Sequence, residues 1–207
     1  METTKNKMPP YAKDFFDRLK NYLNTKIYYY GSIQRIDYFP KSSDIDVDIF
    51  TDNETSTISK LQNFLGVNRY EFKTLVYRLH KTDKLIRGHK VLYKDKFNNF
   101  ITEISIYNDK YKDDVLLEHS AKFDLPLYIS FLLIVLKFLY YNTPILPKEI
   151  YLVLKNIVLD YMVEGKNVEF IITEIPKDKE YEEKRQQQEE ERQQKERYET
   201  QLKHEEI

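Results

Sequence analysis

Ser43-Asp44-Ile45-Asp46-Val47-Asp48-Ile49-Phe50 is the stretch on which the reading of this chain turns. Carboxylate and aliphatic residues alternate from Asp44 to Ile49, and successive side chains on a strand point to opposite faces. The pattern predicts a half-buried strand over 44–50. Asp44, Asp46 and Asp48 then share one face, while Ile45, Val47 and Ile49 enter a core. Carboxylates packed side by side repel, and each desolvated charge is costly. A divalent cation removes that cost, since hard ions such as Mg²⁺ take oxygen ligands, typically one or two carboxylates plus substrate phosphates. The other reading is a solvated edge strand whose charges block aggregation. The strand alone leaves both open.

Upstream, Tyr28-Tyr29-Tyr30-Gly31-Ser32 reads as an apolar strand end followed by a Gly-Ser turn. Gly31 is the first of only four glycines in the chain, and the next is Gly66. A glycine lets the backbone approach a phosphate closely, and Ser32 can donate a hydrogen bond to it. Alone, such a pair is an ordinary turn. Downstream, Phe100-Ile101-Thr102-Glu103-Ile104-Ser105-Ile106 alternates again. Phe100, Thr102, Ile104 and Ile106 fall on one face, Glu103 and Ser105 on the other. Glu103 joins the carboxylate face if the two strands are neighbours.

Tyr30-Gly31-Ser32, then Ser43-Asp44-Ile45-Asp46-Val47, then Glu103 in an apolar strand resemble the signature of the DNA polymerase β-like nucleotidyltransferase superfamily. The resemblance follows the order of elements from Tyr11 to Tyr107 and extends less specifically to Lys137. It implies an α/β (α+β) fold with a mixed sheet. Residues 1–110 would be the nucleotidyltransferase core, 111–176 a helical subdomain completing the fold, and 177–207 a charged helical or disordered tail. It further implies two-metal phosphoryl transfer from a nucleoside triphosphate, with ATP the favoured donor. Asp44 and Asp46 would bridge two Mg²⁺ or Mn²⁺ ions and Glu103 would ligate one of them. Gly31, Ser32 and Ser43 would contact the nucleotide. Lys137, in Leu136-Lys137-Phe138, matches a lysine that contacts the triphosphate in several relatives. Its other reading is a stem covering apolar surface with its head in water.

Two departures stand out. Ile36-Asp37-Tyr38-Phe39-Pro40 is bulkier than the loop of many relatives, which carry a small residue there. Asp48 permits an alternative metal pair, Asp46/Asp48, although the Ser43-Asp44 context favours Asp44/Asp46. The implied acceptor is an RNA 3′ end, a protein hydroxyl or a small molecule, with nucleic acid preferred. A reading from another class keeps the fold without catalysis, as a scaffold docked through its tail to a protein partner or a second copy.

The remaining periodicities predict helices over 11–23, 57–65, 70–79, 127–141 and 149–162, and strands over 26–30, 85–93, 100–107 and 168–175. Residues 127–141 read as a buried core helix, begun by Pro126 with Asp124 as its cap. Their apolar run is too short to span a bilayer. From Lys177 onward, eight Lys/Arg stand against eleven Asp/Glu, leaving residues 1–176 at +2 within an overall −1. That balance identifies no polyanionic partner. The absence of cysteine excludes disulfides, thiolate metal sites and a cysteine nucleophile. Met1–Pro10 has no apolar signal segment, so an intracellular, cytoplasmic location is expected. His80, His89, His119 and His204 show no ligand spacing and read as surface or core-edge residues.

Overall fold

Pro9 and Pro10 open α1 (Pro10–Leu23), where a missing amide hydrogen costs nothing, and Asn24 closes it in a left-handed conformation. Its stripe of Ala12, Phe15, Phe16, Leu19 and Leu23 is buried. This computed structural model describes residues 1–162 apart from 41, 80, 96, 99 and 144. The expected strand over 168–175 and the charged tail lie outside the described residues.

After α1 come β1 (Tyr28–Tyr30), a 3-10 turn at Gly31–Gln34, β2 (Ile45–Thr51) and α2 (Glu54–Leu65). Then follow β3 (Lys73–Arg78), β4 (Leu85–Asp95), β5 (Phe100–Asn108), α3 (Lys112–Ser120), α4 (Leu127–Tyr141) and α5 (Lys148–Met162). The strands form one mixed sheet in the order β1-β2-β5-β4-β3, so the fold is α+β. β2 and β5 run parallel; the other three pairings are antiparallel. The parallel pair places Asp46 opposite Glu103, and the antiparallel pair places Asp46 opposite Tyr30.

One sheet face is closed by α1 and α2. Ile45, Val47, Ile49, Ile104 and Ile106 pack there against Phe16, Leu19, Ile58 and Leu61. The other face carries Tyr28, Phe50 and Tyr107 with Val115 of α3, and the carboxylates lie on this side.

Three expectations are corrected and one helix is added. Residues 73–78 form a strand where a helix was expected over 70–79. Thr74, Val76 and Tyr77 are β-formers, and six backbone partners on β4 outweigh a helix-like spacing of apolar residues. α3 was not anticipated, because its apolar residues make almost no stripe and only Val115 and Glu118 are buried. Asp124 does not cap α4; Pro126 holds that position and Asp124 pairs with Lys5 at 2.9 Å. α4 is not buried all round. Ile129, Leu133 and Leu136 meet Tyr151 and Val158 of α5, while Leu127 (81% exposed) and Phe131 (67%) face outward. α5 covers one side of α4 and leaves Leu127 and Phe131 on the other. Among the described residues no helix is long and apolar enough to cross a membrane.

Candidate active site

Gly31 adopts φ 70°, a left-handed conformation that favours glycine. A Cβ there would run into the Asp46 carboxylate, so glycine is demanded both by the backbone and by space. The close approach exists because Tyr30 is the register partner of Asp46 and the chain turns at once into the 3-10 turn. Ser32 is 6% exposed, and its Oγ has no hydrogen-bond partner among the described residues. A buried hydroxyl without a partner is uncommon, and this one belongs to a cleft-lining residue.

Gly31, Ser32, Asp44, Asp46 and Glu103 line one cleft of about 360 Å³. Asp44 lies just before β2, whose first residue is Ile45, and Asp46 lies within it. Asp46 and Glu103 sit side by side on neighbouring strands, which run about 4.8 Å apart. Burial pushes the Asp46 carboxyl well above the usual carboxylate range, and the charges of Asp44 and Glu103 push it further. Facing them are Arg35, Arg78, Lys90, Lys122 and Lys155; Tyr77, Tyr107, His119 and Leu159 supply apolar and aromatic wall. Acidic groups for a cation, cationic groups for phosphates and a wall for a base thus share one space.

Glu103 already has partners. The Lys90 ammonium lies 2.7 Å from its Oε2, and the Tyr30 hydroxyl donates to its Oε1 at 3.4 Å. Among the described residues, no three His, Cys, Asp or Glu side chains converge tightly enough to hold a metal ion as they stand. The donor set still suits a hard cation: two carboxylates on adjacent strands, a third beside them, and a glycine that makes room for one of them.

Asp48 is fully buried and is not among the cleft-lining residues. Its Oδ2 lies 3.0 Å from His119 Nε2, and the His119 ring stacks on Tyr30 with centroids 4.0 Å apart. Burial raises the Asp48 carboxyl, and His119 opposes part of that rise.

Ser43 and Lys137 are brought together, but away from the cleft walls. The Lys137 ammonium donates to the Asp37 carbonyl at 2.7 Å and to Ser43 Oγ at 3.2 Å, and pairs with the Asp37 carboxylate at 3.1 Å. Arg35 grips the same carboxylate twice, at 2.8 and 3.1 Å. Lys137 therefore does not lie in water; it ties α4 to the Ile36–Pro40 loop. Burial lowers the Lys137 pKa, partly offset by Asp37. Burial alone would raise the Asp37 carboxyl, but Arg35 and Lys137 outweigh it and hold it below its ordinary value. The bulky loop thus has a defined path, with Ile36 exposed and Asp37 and Tyr38 buried.

His119, Lys90, Arg35 and Lys155 are cleft residues that no motif pointed to. His119 is an unspaced histidine on an unanticipated helix. Lys90 is legible only once β4 is known to neighbour β5. His89 lies elsewhere, near Thr74 and Glu54. His80 and His204 lie outside the described residues.

A family model for a nucleotidyltransferase domain matches residues 11–127, more than half of the chain. This chain belongs to the nucleotidyltransferase-domain family. The matched span of the nucleotidyltransferase domain contains Gly31, Ser32, Asp44, Asp46, Lys90, Glu103 and His119, and such a domain implies a nucleotide substrate. Among solved structures, the conserved protein GrpB from Enterococcus faecalis is 14% identical, with a TM-score of 0.46 over 78% of this chain and 97% of that one. The GLD-2/RNP-8 complex structure is 13% identical, with a TM-score of 0.28 over 76% of this chain and 63% of that one. Likenesses this distant carry no argument about activity. No curated protein matches the chain significantly.

Proposed function

We propose that this nucleotidyltransferase domain moves a nucleoside monophosphate from a nucleoside triphosphate, ATP first among them, to an acceptor hydroxyl. The acceptor to try first is an RNA 3′ end. Asp44, Asp46 and Glu103 would hold Mg²⁺ or Mn²⁺. The observation that carries this reading is the shared cleft. Gly31, the Ser32 hydroxyl without a partner among the described residues, and three carboxylates line the same space as five cationic side chains.

The bound ions would neutralise phosphate charge and lower the pKa of the acceptor hydroxyl. The chain's own groups do the rest. Ser32 Oγ donates to a phosphate oxygen, for which its present lack of a partner leaves it ready. Gly31 keeps that phosphate close to the backbone. Tyr30 orients Glu103 through its hydroxyl. Lys155, Lys122 and Arg78 meet the remaining phosphate charge, and the aromatic wall excludes water from one side. Positioning and electrostatics of this kind supply most of the catalysis in phosphoryl transfer.

The test is incubation of the full chain with Mg²⁺ or Mn²⁺ and each labelled nucleoside triphosphate, with RNA, DNA and protein as acceptors. Label transfer that disappears in Asp46→Ala is the expected result. No transfer to any acceptor, with either metal, overturns it.

A second reading, a non-catalytic scaffold on the same fold, is favoured by one observation: Glu103 is engaged by Lys90 and no three metal-ligating groups converge among the described residues. Calorimetry separates the two. Metal-dependent nucleotide binding supports the enzyme, and its absence the scaffold.

A further inference from the structure

Lys90 projects from β4 into the cleft, and its ammonium sits on the carboxylate that a metal would need. β4 pairs Lys90 with Ser105 and Leu92 with Glu103, so the lysine and the carboxylate come from adjacent strands two positions out of register. The Nζ–Oε2 distance is 2.7 Å, and both side chains are only about a third exposed or less. A cation taking Glu103 Oε2 as a ligand must displace the ammonium already there, and one on Oε1 sits beside it. An ammonium and a metal ion at one carboxylate repel each other, and a half-buried site screens that repulsion poorly.

The cleft also offers the ammonium somewhere else to go. Ser32 and Gly31 mark where phosphate would lie, on the far side of Asp46 from β4 in strand order but on the wall of the same cleft. A triphosphate brings several negative charges into that space. Lysine is suited to follow them, being a compact charge on a flexible stem that binds phosphate without a fixed geometry.

Resting on the function proposed above, we propose that Lys90 is the exchangeable counter-ion of Glu103. Its ammonium holds the carboxylate until a nucleoside triphosphate draws it onto phosphate oxygens and frees Glu103 for the metal. Lys90 thereby couples the two ligands: each binds better once the other is present. The coupling is reciprocal, as linkage requires. It is a positioning role before the reaction and a phosphate contact during it.

Two binding measurements on the full-length chain test this without reading activity. Free Mn²⁺ is followed by electron paramagnetic resonance in the absence of nucleotide, for wild type and for Lys90→Met and Lys90→Gln. Removing the competitor tightens Mn²⁺ binding by about fivefold or more, the lower end of ordinary coupling between sites. Lys84→Met is the charge control. Lys84 is paired to Asp114 at 2.7 Å outside the cleft, and its loss leaves Mn²⁺ affinity unchanged. In a Glu103→Gln background the gain from Lys90→Met disappears, because the carboxylate in dispute is gone. The second measurement is ATP binding in EDTA, which weakens in both Lys90 variants.

Equal or weaker Mn²⁺ binding in the Lys90 variants overturns the proposal. So does an equal gain in Lys84→Met, or a gain that persists in the Glu103→Gln background. If no variant and no wild-type chain binds Mn²⁺, the metal-dependent function falls and this proposal with it. If wild type binds Mn²⁺ and loss of Lys90 changes nothing, the counter-ion role alone is lost.

Discussion

β2 has one face in a closed core and the other in a cleft, and the two were built to different rules. Ile45, Val47 and Ile49 are all but fully buried among the side chains of α1, α2 and β5. Asp46, on the opposite face, presses against Gly31, and burial and neighbouring charge push its carboxyl upward. The first face stabilises the fold by removing apolar area from water. The second costs the fold something, because like charges are gathered out of water. A strand that stabilises with one face can carry a strained site on the other. Mutations on the two faces should therefore separate stability from activity.

The largest expected effect lies on the cleft face. Asp46→Ala lowers transfer by at least about a thousandfold, equivalent to roughly 4 kcal/mol of barrier, while the melting temperature holds or rises slightly. Rates and melting curves with and without Mg²⁺ check this. Wild-type transfer in Asp46→Ala breaks the comparison, since the two faces would then differ in nothing but polarity.

Next comes the buried charge cluster that ties the cleft loop to α4. Asp37→Ala leaves Arg35 and Lys137 buried without their carboxylate and destabilises the chain by about 3–5 kcal/mol at neutral pH, measured by urea unfolding. Its pH signature has a definite sign. The folded carboxyl titrates below its unfolded value, so the native state binds fewer protons as pH falls through the ordinary carboxylate range. The stability contributed by Asp37 is full above that range and is lost as pH drops through the lowered value. Asp37→Asn lacks that part of the acid loss.

On the core face, Ile104→Ala costs about 2–5 kcal/mol of stability, while transfer per folded molecule stays within about twofold. Fluorescence or calorimetric unfolding with an active-site titration separates the two quantities. A large loss of activity per folded molecule would show that the faces are mechanically coupled. The smallest effect sharpens the boundary within the cleft face itself. Asp48→Asn retains transfer within about tenfold, because Asp48 faces His119 and does not line the cleft. Loss in Asp48→Asn with retention in Asp44→Ala would move the metal pair two residues along the strand.

How far each of these residues was legible in the sequence follows from how local its signal is. Strand alternation assigns Asp44, Asp46 and Glu103 a face without knowing the neighbours, but only the resemblance to the nucleotidyltransferase signature joins them to Gly31 as one site. The alternation of 100–106 also put Ile104 and Ile106 on the face opposite Glu103, and that face is the core. Lys90 and His119 could not be read, because their importance arises from strand order and from α3, whose apolar residues form almost no stripe. Lys137 was singled out by its context on an apolar helix, but its partner Asp37 lies 100 positions away and no local pattern reports it. Residues 73–78 were misread because Leu75, Val76 and Leu79 carry helix-like spacing. Pairing with β4 decides the matter, and pairing is not a local property.

The parallel alignment of β2 and β5 has a consequence for how the chain reaches its fold. Ile45 and Thr102 are joined by a side chain–backbone hydrogen bond across 57 positions of sequence. Contacts of such separation close large loops, and they slow folding more than they affect stability. Here the closing step also sets Asp46 beside Glu103. The search for the native pairing thus ends by bringing two acidic side chains together. The expected consequence is kinetic: Glu103→Gln removes one of the two carboxylates that meet there and should speed refolding from denaturant in stopped-flow measurements without metal.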